Sequence, residues 1–167
     1  MTKALRMTEE QWKTIRNHGE ATYPYECCGV LLGHATETAN VVCETVRAEN
    51  IRTDSAHNRY QIAPGELIRI VRQGRERGLD VVGFYHSHPD HPAQWSKTDL
   101  AEAHWFGCSY VITSVNGREH AERCRAVDTN AFLLTGTGED DKRLVPQPIE
   151  ISPATPQAAE DELCARA

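Results

Sequence analysis

The feature that most constrains this chain is the run Gly83-Phe84-Tyr85-His86-Ser87-His88-Pro89, with Ser96 and Asp99 just downstream and Glu26 far upstream in Glu26-Cys27-Cys28-Gly29. Leu79 to Tyr85 is apolar and rich in β-branched and aromatic residues, which predicts a buried strand running straight into the histidines. In an extended chain residues i and i+2 leave from one face, so His86 and His88 can address a single metal ion while Ser87 points away. Pro89 has no N–H to donate and ends the ladder. Asp90 to Gln94 then forms a loop that turns back over the strand end.

Ser96 to His104 carries good helix formers behind an N-cap residue, which places Ser96 at the first turn of a helix and Asp99 on the same side of it. Two neutral imidazoles and one carboxylate would leave a tetrahedral Zn²⁺ with one open position for water, the mark of a catalytic rather than a structural site. Each part also has a plainer reading. Ser96-x-x-Asp99 fits a capping box, a His-x-His pair fits surface polarity, and Glu26 after Tyr23-Pro24 fits an exposed loop carboxylate. Their collection on one strand-loop-helix unit favours one Zn²⁺ per chain. The apolar strand Gly29-Val30-Leu31-Leu32 gives Glu26 the rigid support that a general base needs.

The pattern resembles the signature of the JAMM (MPN+) metalloproteases, a glutamate upstream of H-[S/T]-H-P-x6-S-x-x-D, and matches it at Glu26, His86, Ser87, His88, Pro89, Ser96 and Asp99. Tyr25-Glu26-Cys27-Cys28-Gly29-Val30-Leu31-Leu32-Gly33 is similar to the start of the bacterial and archaeal, Mec-type branch, and the likeness runs from about Glu9 to about Ile151. It implies a mixed β-sheet flanked by helices in the cytidine-deaminase-like α/β arrangement of JAMM/MPN domains. It also implies a zinc metallopeptidase or isopeptidase, deubiquitinase-like, that cuts after the C-terminal glycine of a ubiquitin-like or sulfur-carrier protein with a Gly-Gly tail. In that likeness His86, His88 and Asp99 hold the zinc, Glu26 is the general acid/base and Ser96 stabilises the tetrahedral intermediate. The chain lacks the long insertions that resemble ubiquitin-gripping segments of eukaryotic members. The family also contains non-catalytic scaffolds of the same fold, which usually lack ligands, so the intact positions weigh against an interaction module. A zinc deaminase would need H-x-E and P-C-x-x-C, and neither occurs.

At 167 residues the chain is long enough for one well-packed domain, placed at 1–151, with an acid- and alanine-rich tail at 152–167. A net charge of −6 argues against nucleic acid as a partner. No apolar run approaches the ~20 residues needed to span a bilayer, and the N-terminus lacks the pattern of a signal peptide, so a soluble cytoplasmic protein without membrane contact is expected. The six cysteines include no C-x-x-C and are read as reduced, buried thiols. A cysteine nucleophile would need a histidine spared from the metal. Oligomeric state is left open.

The remaining elements follow from patterning. Thr8-Glu9-Glu10-Gln11 opens a helix to about Ala21, Cys28–Ala35 and Asn40–Ala48 form a strand pair, and 49–57 is a polar loop near the site mouth. Arg59–Ile62 is expected to be a short strand and Pro64–Gly78 a helix with Leu67, Ile68 and Val71 as its stripe. Cys108–Val115 reads as a second central strand, turning at Asn116-Gly117 into a strand over Glu119–Val127. Short pieces follow at Phe132–Leu134 and Leu144–Ile151. Trp105 and Phe106 are assigned to the core and Trp95 to the substrate groove; His57, His91 and His104 are read as surface residues.

Overall fold

A computed structural model describes residues 3–117 and 124–153. Its elements are β1 (Ala4–Thr8), α1 (Glu9–Thr22), β2 (Cys28–Ala35), β3 (Ala39–Ala48), α2 (Pro64–Glu76), β4 (Asp80–Pro89), α3 (Lys97–Glu102), β5 (Ser109–Asn116), β6 (Arg125–Thr135), β7 (Arg143–Gln147) and β8 (Ile149–Ser152). The strands join in one mixed sheet of order β7-β6-β5-β4-β2-β3-β1-β8. This is the mixed, helix-flanked α/β sheet expected from the sequence. Among the described residues no helix is long and apolar enough to cross a membrane.

The apolar run before the histidines takes a middle place in the sheet, with β2 antiparallel on one side of β4 and β5 parallel on the other. A strand covered on both faces has no need of alternation, which is why β4 reads as continuous hydrophobicity. One face packs on α1 through Leu5, Met7, Ile15, Leu31, Val42, Tyr85 and Val111. The other gathers Val30, Leu32, Ile70, Phe84, Tyr110 and Ile112 beneath α2 and the loop before it. Burying a side chain such as Ile15 or Ile70, each 1% exposed, contributes about 1.5–3 kcal/mol.

A β-bulge decides which face the histidines use. Leu31 opposes Gly83 whereas Leu32 opposes Val81, so Val82 is the extra residue of β4. Val81 and Phe84 therefore both reach the α2 face although they are an odd number of residues apart. From Phe84 onward the alternation is regular. It sends His86 and His88 to the α2 face and Tyr85 and Ser87 to the α1 face.

Several expectations are corrected. β1 was not foreseen; it runs directly into the Thr8 capping box and lies parallel to both β3 and β8. Arg59–Ile62 is not a strand, because the side chain of Asn50 takes up its backbone groups, accepting the Gln61 N–H (3.1 Å) and donating to the Arg59 carbonyl (3.0 Å). Helix α2 stops at Glu76, two residues short of Gly78, which turns the chain at φ +76°. The strand start at Glu119 lies outside the described residues, and the partner of β5 is Arg125–Thr135, its ladder beginning at Asn116 opposite Arg125 rather than at a two-residue turn. Trp105 and Phe106 are 38% and 39% exposed, the chain there lying outside the apolar face of the sheet. Cys27, Cys28, Cys108 and Cys124 are free thiols, but Cys43, half-buried on β3, is disulfide-bonded.

The α1 face contains one buried polar pair. Gly29 opposes Tyr85 in the ladder, and a Cβ there would come within 2.2 Å of the Tyr85 ring, so only glycine leaves room for it. The Tyr85 hydroxyl shares a 2.9 Å hydrogen bond with His18 Nδ1. Burial, helped by the positive charge of Arg47, lowers the His18 pKa from 6.5 to about 4. The unfolded chain accepts this proton near pH 6.5 and the folded one resists it. Its stabilisation is therefore full above that pH and is lost as pH falls towards 4, by roughly 3 kcal/mol. Urea unfolding should accordingly show the stability gap between wild type and His18→Gln narrowing from pH 7 to pH 4; a gap that stays constant would refute the assignment.

Candidate metal centre

At the C-terminal end of β4 the two imidazoles converge, their Nε2 atoms 3.1 Å apart. His86 Nε2 is 3.2 Å from Asp99 Oδ1, and His88 Nε2 is 3.5 Å from Asp99 Oδ2. These are the donor atoms of a group of three that could hold a metal ion. Zinc bound at about 2.0–2.1 Å to tetrahedral donors would set them roughly 3.3 Å from one another, so the observed separations suit it. With both Nε2 lone pairs turned inward the two nitrogens cannot satisfy one another, and both rings are buried, at 2% and 8% exposure; a cation between them would.

The surroundings fix how each ring is presented. His88 Nδ1 lies 2.9 Å from the Pro92 carbonyl, an acceptor, so Nδ1 carries the hydrogen and Nε2 the lone pair. Tyr60 stacks on His86 with centroids 4.6 Å apart and 26° between planes. Burial lowers the His86 pKa despite Asp99 beside it. For His88, burial works in the same direction but is outweighed by its bonds to Asp99 and Pro92, and the pKa rises. Burial opposes the charge on Asp99 too, yet the two histidine rings beside it hold its carboxyl well below the usual range.

Asp99 arrives over a strap stapled to the sheet. Asp90 takes a left-handed φ of 57° as the chain leaves β4, and its carboxylate accepts the Tyr23 hydroxyl (2.7 Å) and the Gly117 N–H (2.8 Å). The His91 carbonyl accepts Ser114 Oγ (2.7 Å), and the Ala93 carbonyl accepts Asn130 Nδ2 (3.0 Å). Ser96 then caps α3. Its Oγ accepts the Asp99 N–H (3.1 Å), while Asp99 Oδ2 accepts the Ser96 N–H (2.6 Å). The capping box is real, and it is also what aims the carboxylate. Ser96 itself is exposed, its hydroxyl hydrogen still free to be donated.

Glu26 comes from the neighbouring strand. Cys28 opposes His86, and continuing that antiparallel register by two residues sets Glu26 beside His88 on the same face. Its N–H donates to the Ala56 carbonyl (2.7 Å) and its own carbonyl accepts Asn50 Nδ2 (3.1 Å), so the 49–57 loop clamps the backbone that carries it. Glu26 is 4% exposed. Burial raises its pKa to about 8, with His88 pulling it down and Asp99 and Glu102 pushing it further up.

The structure thus brings Glu26, His86, His88 and Asp99 to one face with Ser96 capping the helix that carries Asp99, and Trp95, next to Ser96 in the chain, is 36% exposed. Ser87 points away, accepting the Cys27 N–H (2.8 Å). His57, His91 and His104 are exposed, as expected. The sequence did not disclose Tyr60, Asn50 or the Pro92 carbonyl. The first two act on residues distant in the chain, and a backbone carbonyl leaves no mark on residue identity.

The fold and this constellation define an α/β domain with two histidines and one carboxylate that could hold a metal ion, and a separate buried glutamate. The family described as prokaryotic homologues of the JAB domain matches residues 8–130, and the chain belongs to it, within the wider JAMM/MPN group. It is 37% identical over 95 residues to the desampylase of Haloferax volcanii, covering 57% of this chain and 66% of that protein. Over 58 residues it is 36% identical to a probable TtuB-protein conjugate cleaving protease of Thermus thermophilus, covering 35% of this chain and 38% of that one. The chain thus spans just under two thirds of the first relative and well under half of the second. A solution structure of a Desulfitobacterium hafniense protein shares the fold at a TM-score of 0.73 and 22% identity, covering 93% of this chain and 97% of that one. A Salinibacter ruber protein gives 0.59 and 35% identity, covering 92% and 93%.

Removing one nitrogen of the cluster should abolish tight metal binding. Equilibrium dialysis against Zn²⁺ is expected to give one ion per wild-type chain and none for His88→Ala; a full equivalent bound by the variant would remove His88 from the ligand set.

Proposed function

We propose that this chain is a zinc-dependent metallopeptidase of JAMM type, an isopeptidase that hydrolyses the bond after the C-terminal glycine of a ubiquitin-like or sulfur-carrier protein. The observation that carries it is the convergence of His86, His88 and Asp99 with a buried Glu26 on the same face that makes no hydrogen bond to them. The two relatives, a desampylase and a probable conjugate-cleaving protease, support the same class of substrate.

His86 Nε2, His88 Nε2 and the Asp99 carboxylate would hold the zinc. When bound, it supplies the positive charge that polarises the scissile carbonyl and acidifies a water molecule. Glu26 takes the proton from that attacking water and delivers it to the departing amine. Burial raises its pKa to about 8, close enough to neutral pH for the ionised carboxylate to accept that proton and for the carboxyl so formed to give it up again. The Ser96 hydroxyl, already accepting from the Asp99 N–H, has its hydrogen left to donate to the oxygen that gains charge as the carbonyl carbon becomes tetrahedral. Trp95 borders the path along which an extended tail would lie. A Gly-Gly tail carries no side chains, which suits a centre whose histidines are buried.

Incubation of ubiquitin-like carriers bearing C-terminal extensions with the zinc-loaded protein, followed by intact-mass analysis, tests the proposal. Wild type should release the extension after the terminal glycine. Glu26→Gln should retain zinc and lose at least about a hundredfold in turnover. Loss of zinc from Glu26→Gln would make Glu26 a ligand and overturn its assigned role.

A further inference from the structure

Helix α3 carries the only carboxylate of the metal cluster, yet it is six residues long and buries none of them. A helix this short is unstable by its own hydrogen bonds, and both ends leave backbone groups to be satisfied. Ser96 and Asp99 settle the first turn. At the other end the carbonyls of Ala101 and Ala103 both accept from Lys142 Nζ, at 2.9 and 3.2 Å.

Lys142 is placed to do this and little else. Its side chain is only 7% exposed, a costly position for an ammonium unless every hydrogen has an acceptor. The third acceptor is Glu139, which also pairs with His104 Nδ1 at 3.0 Å just beyond the helix. The turn carrying Lys142 is itself stiffened. Asp141 accepts the N–H groups of Thr137 (2.9 Å) and Gly138 (2.8 Å), and Gly136 has φ +118° where a Cβ would meet the Asp141 carbonyl at 2.8 Å. Behind the turn stand β6 and β7, paired through Thr135 and Arg143.

We infer that Lys142 is a positioning residue for the metal centre: by binding the last carbonyls of α3 to the β6–β7 turn, it holds the helix at the height where Asp99 meets both imidazoles. The inference rests on His86, His88 and Asp99 being metal ligands. Without Lys142 the final turn frays, and Asp99 is left on a helix held by its cap and by the packing of Leu100 and Ala103 on the core. Partners that orient metal ligands commonly govern affinity by about 10–100-fold.

The test compares wild type, Lys142→Met and Lys142→Arg by Zn²⁺ competition with a chelator, by amide hydrogen exchange of the metal-free proteins and by steady-state kinetics. Lys142→Met should bind Zn²⁺ about 10–100-fold more weakly. Amides at 99–103 should exchange faster while those of β4 are unchanged, and kcat should fall with KM held. The guanidinium of Lys142→Arg reaches the same carbonyls and should restore most of the affinity. Where Lys142→Met does not fold, Lys142→Gln, polar but too short for both carbonyls, is expected to behave as described for methionine. Zn²⁺ affinity within about twofold of wild type in a folded Met or Gln variant overturns the inference. Failure of the wild type to bind Zn²⁺ overturns instead the ligand assignment beneath it.

Discussion

Two imidazole nitrogens held 3.1 Å apart in a place nearly closed to water set the terms for this molecule. Each has given up hydration, neither can donate to the other in the form that leaves both lone pairs inward, and the carboxylate beside them is pulled far towards its ionised state. Such an arrangement persists only where surrounding structure forces it. Here β4 is locked between β2 and β5, the strap is fastened to β5 and β6, and α3 is capped by the same residue pair that delivers the carboxylate. What looks like an ordinary sheet with an irregular crossover is a frame for three atoms.

The sheet separates tasks by face. Towards α1 the strand contributes Tyr85, wedged over Gly29 and bonded to His18, and Ser87, which closes the β2–β4 pairing at Cys27. Those residues make stability. Towards α2 the alternate positions carry the two histidines of the cluster, with Glu26 contributed from the chain leading into β2. The bulge at Val82 lets one strand serve both ends, because the segment before it and the segment after it follow different phases of the same apolar pattern.

How much of this could be read from residues alone depended on range. His86 and His88 were legible because a period of two is intrinsic to an extended chain, and Asp99 because a capping box is local. Of the two readings of Ser96-x-x-Asp99 the cap is present, and it leaves the Asp99 oxygens 3.2 and 3.5 Å from the histidine nitrogens, as the ligand reading needs. β1 was illegible because its partners lie elsewhere in the chain, the pair Arg6 and Glu150 being 144 residues apart. Arg59–Ile62 has strand-like residues, but a single asparagine outbids a ladder for its backbone. Nothing in the sequence marks Val82 as an extra residue, Tyr60 as the plate behind His86, or Cys43 as different from the other cysteines.

The depth of the cluster has a further meaning. With the histidine rings at 2% and 8% exposure, almost none of either imidazole faces the surroundings, whereas Trp95 and Ser96 just ahead of α3 are exposed. Whatever the cluster takes must come to it past the little of each ring that stays open, so access is set by the frame around the three side chains as much as by their chemistry.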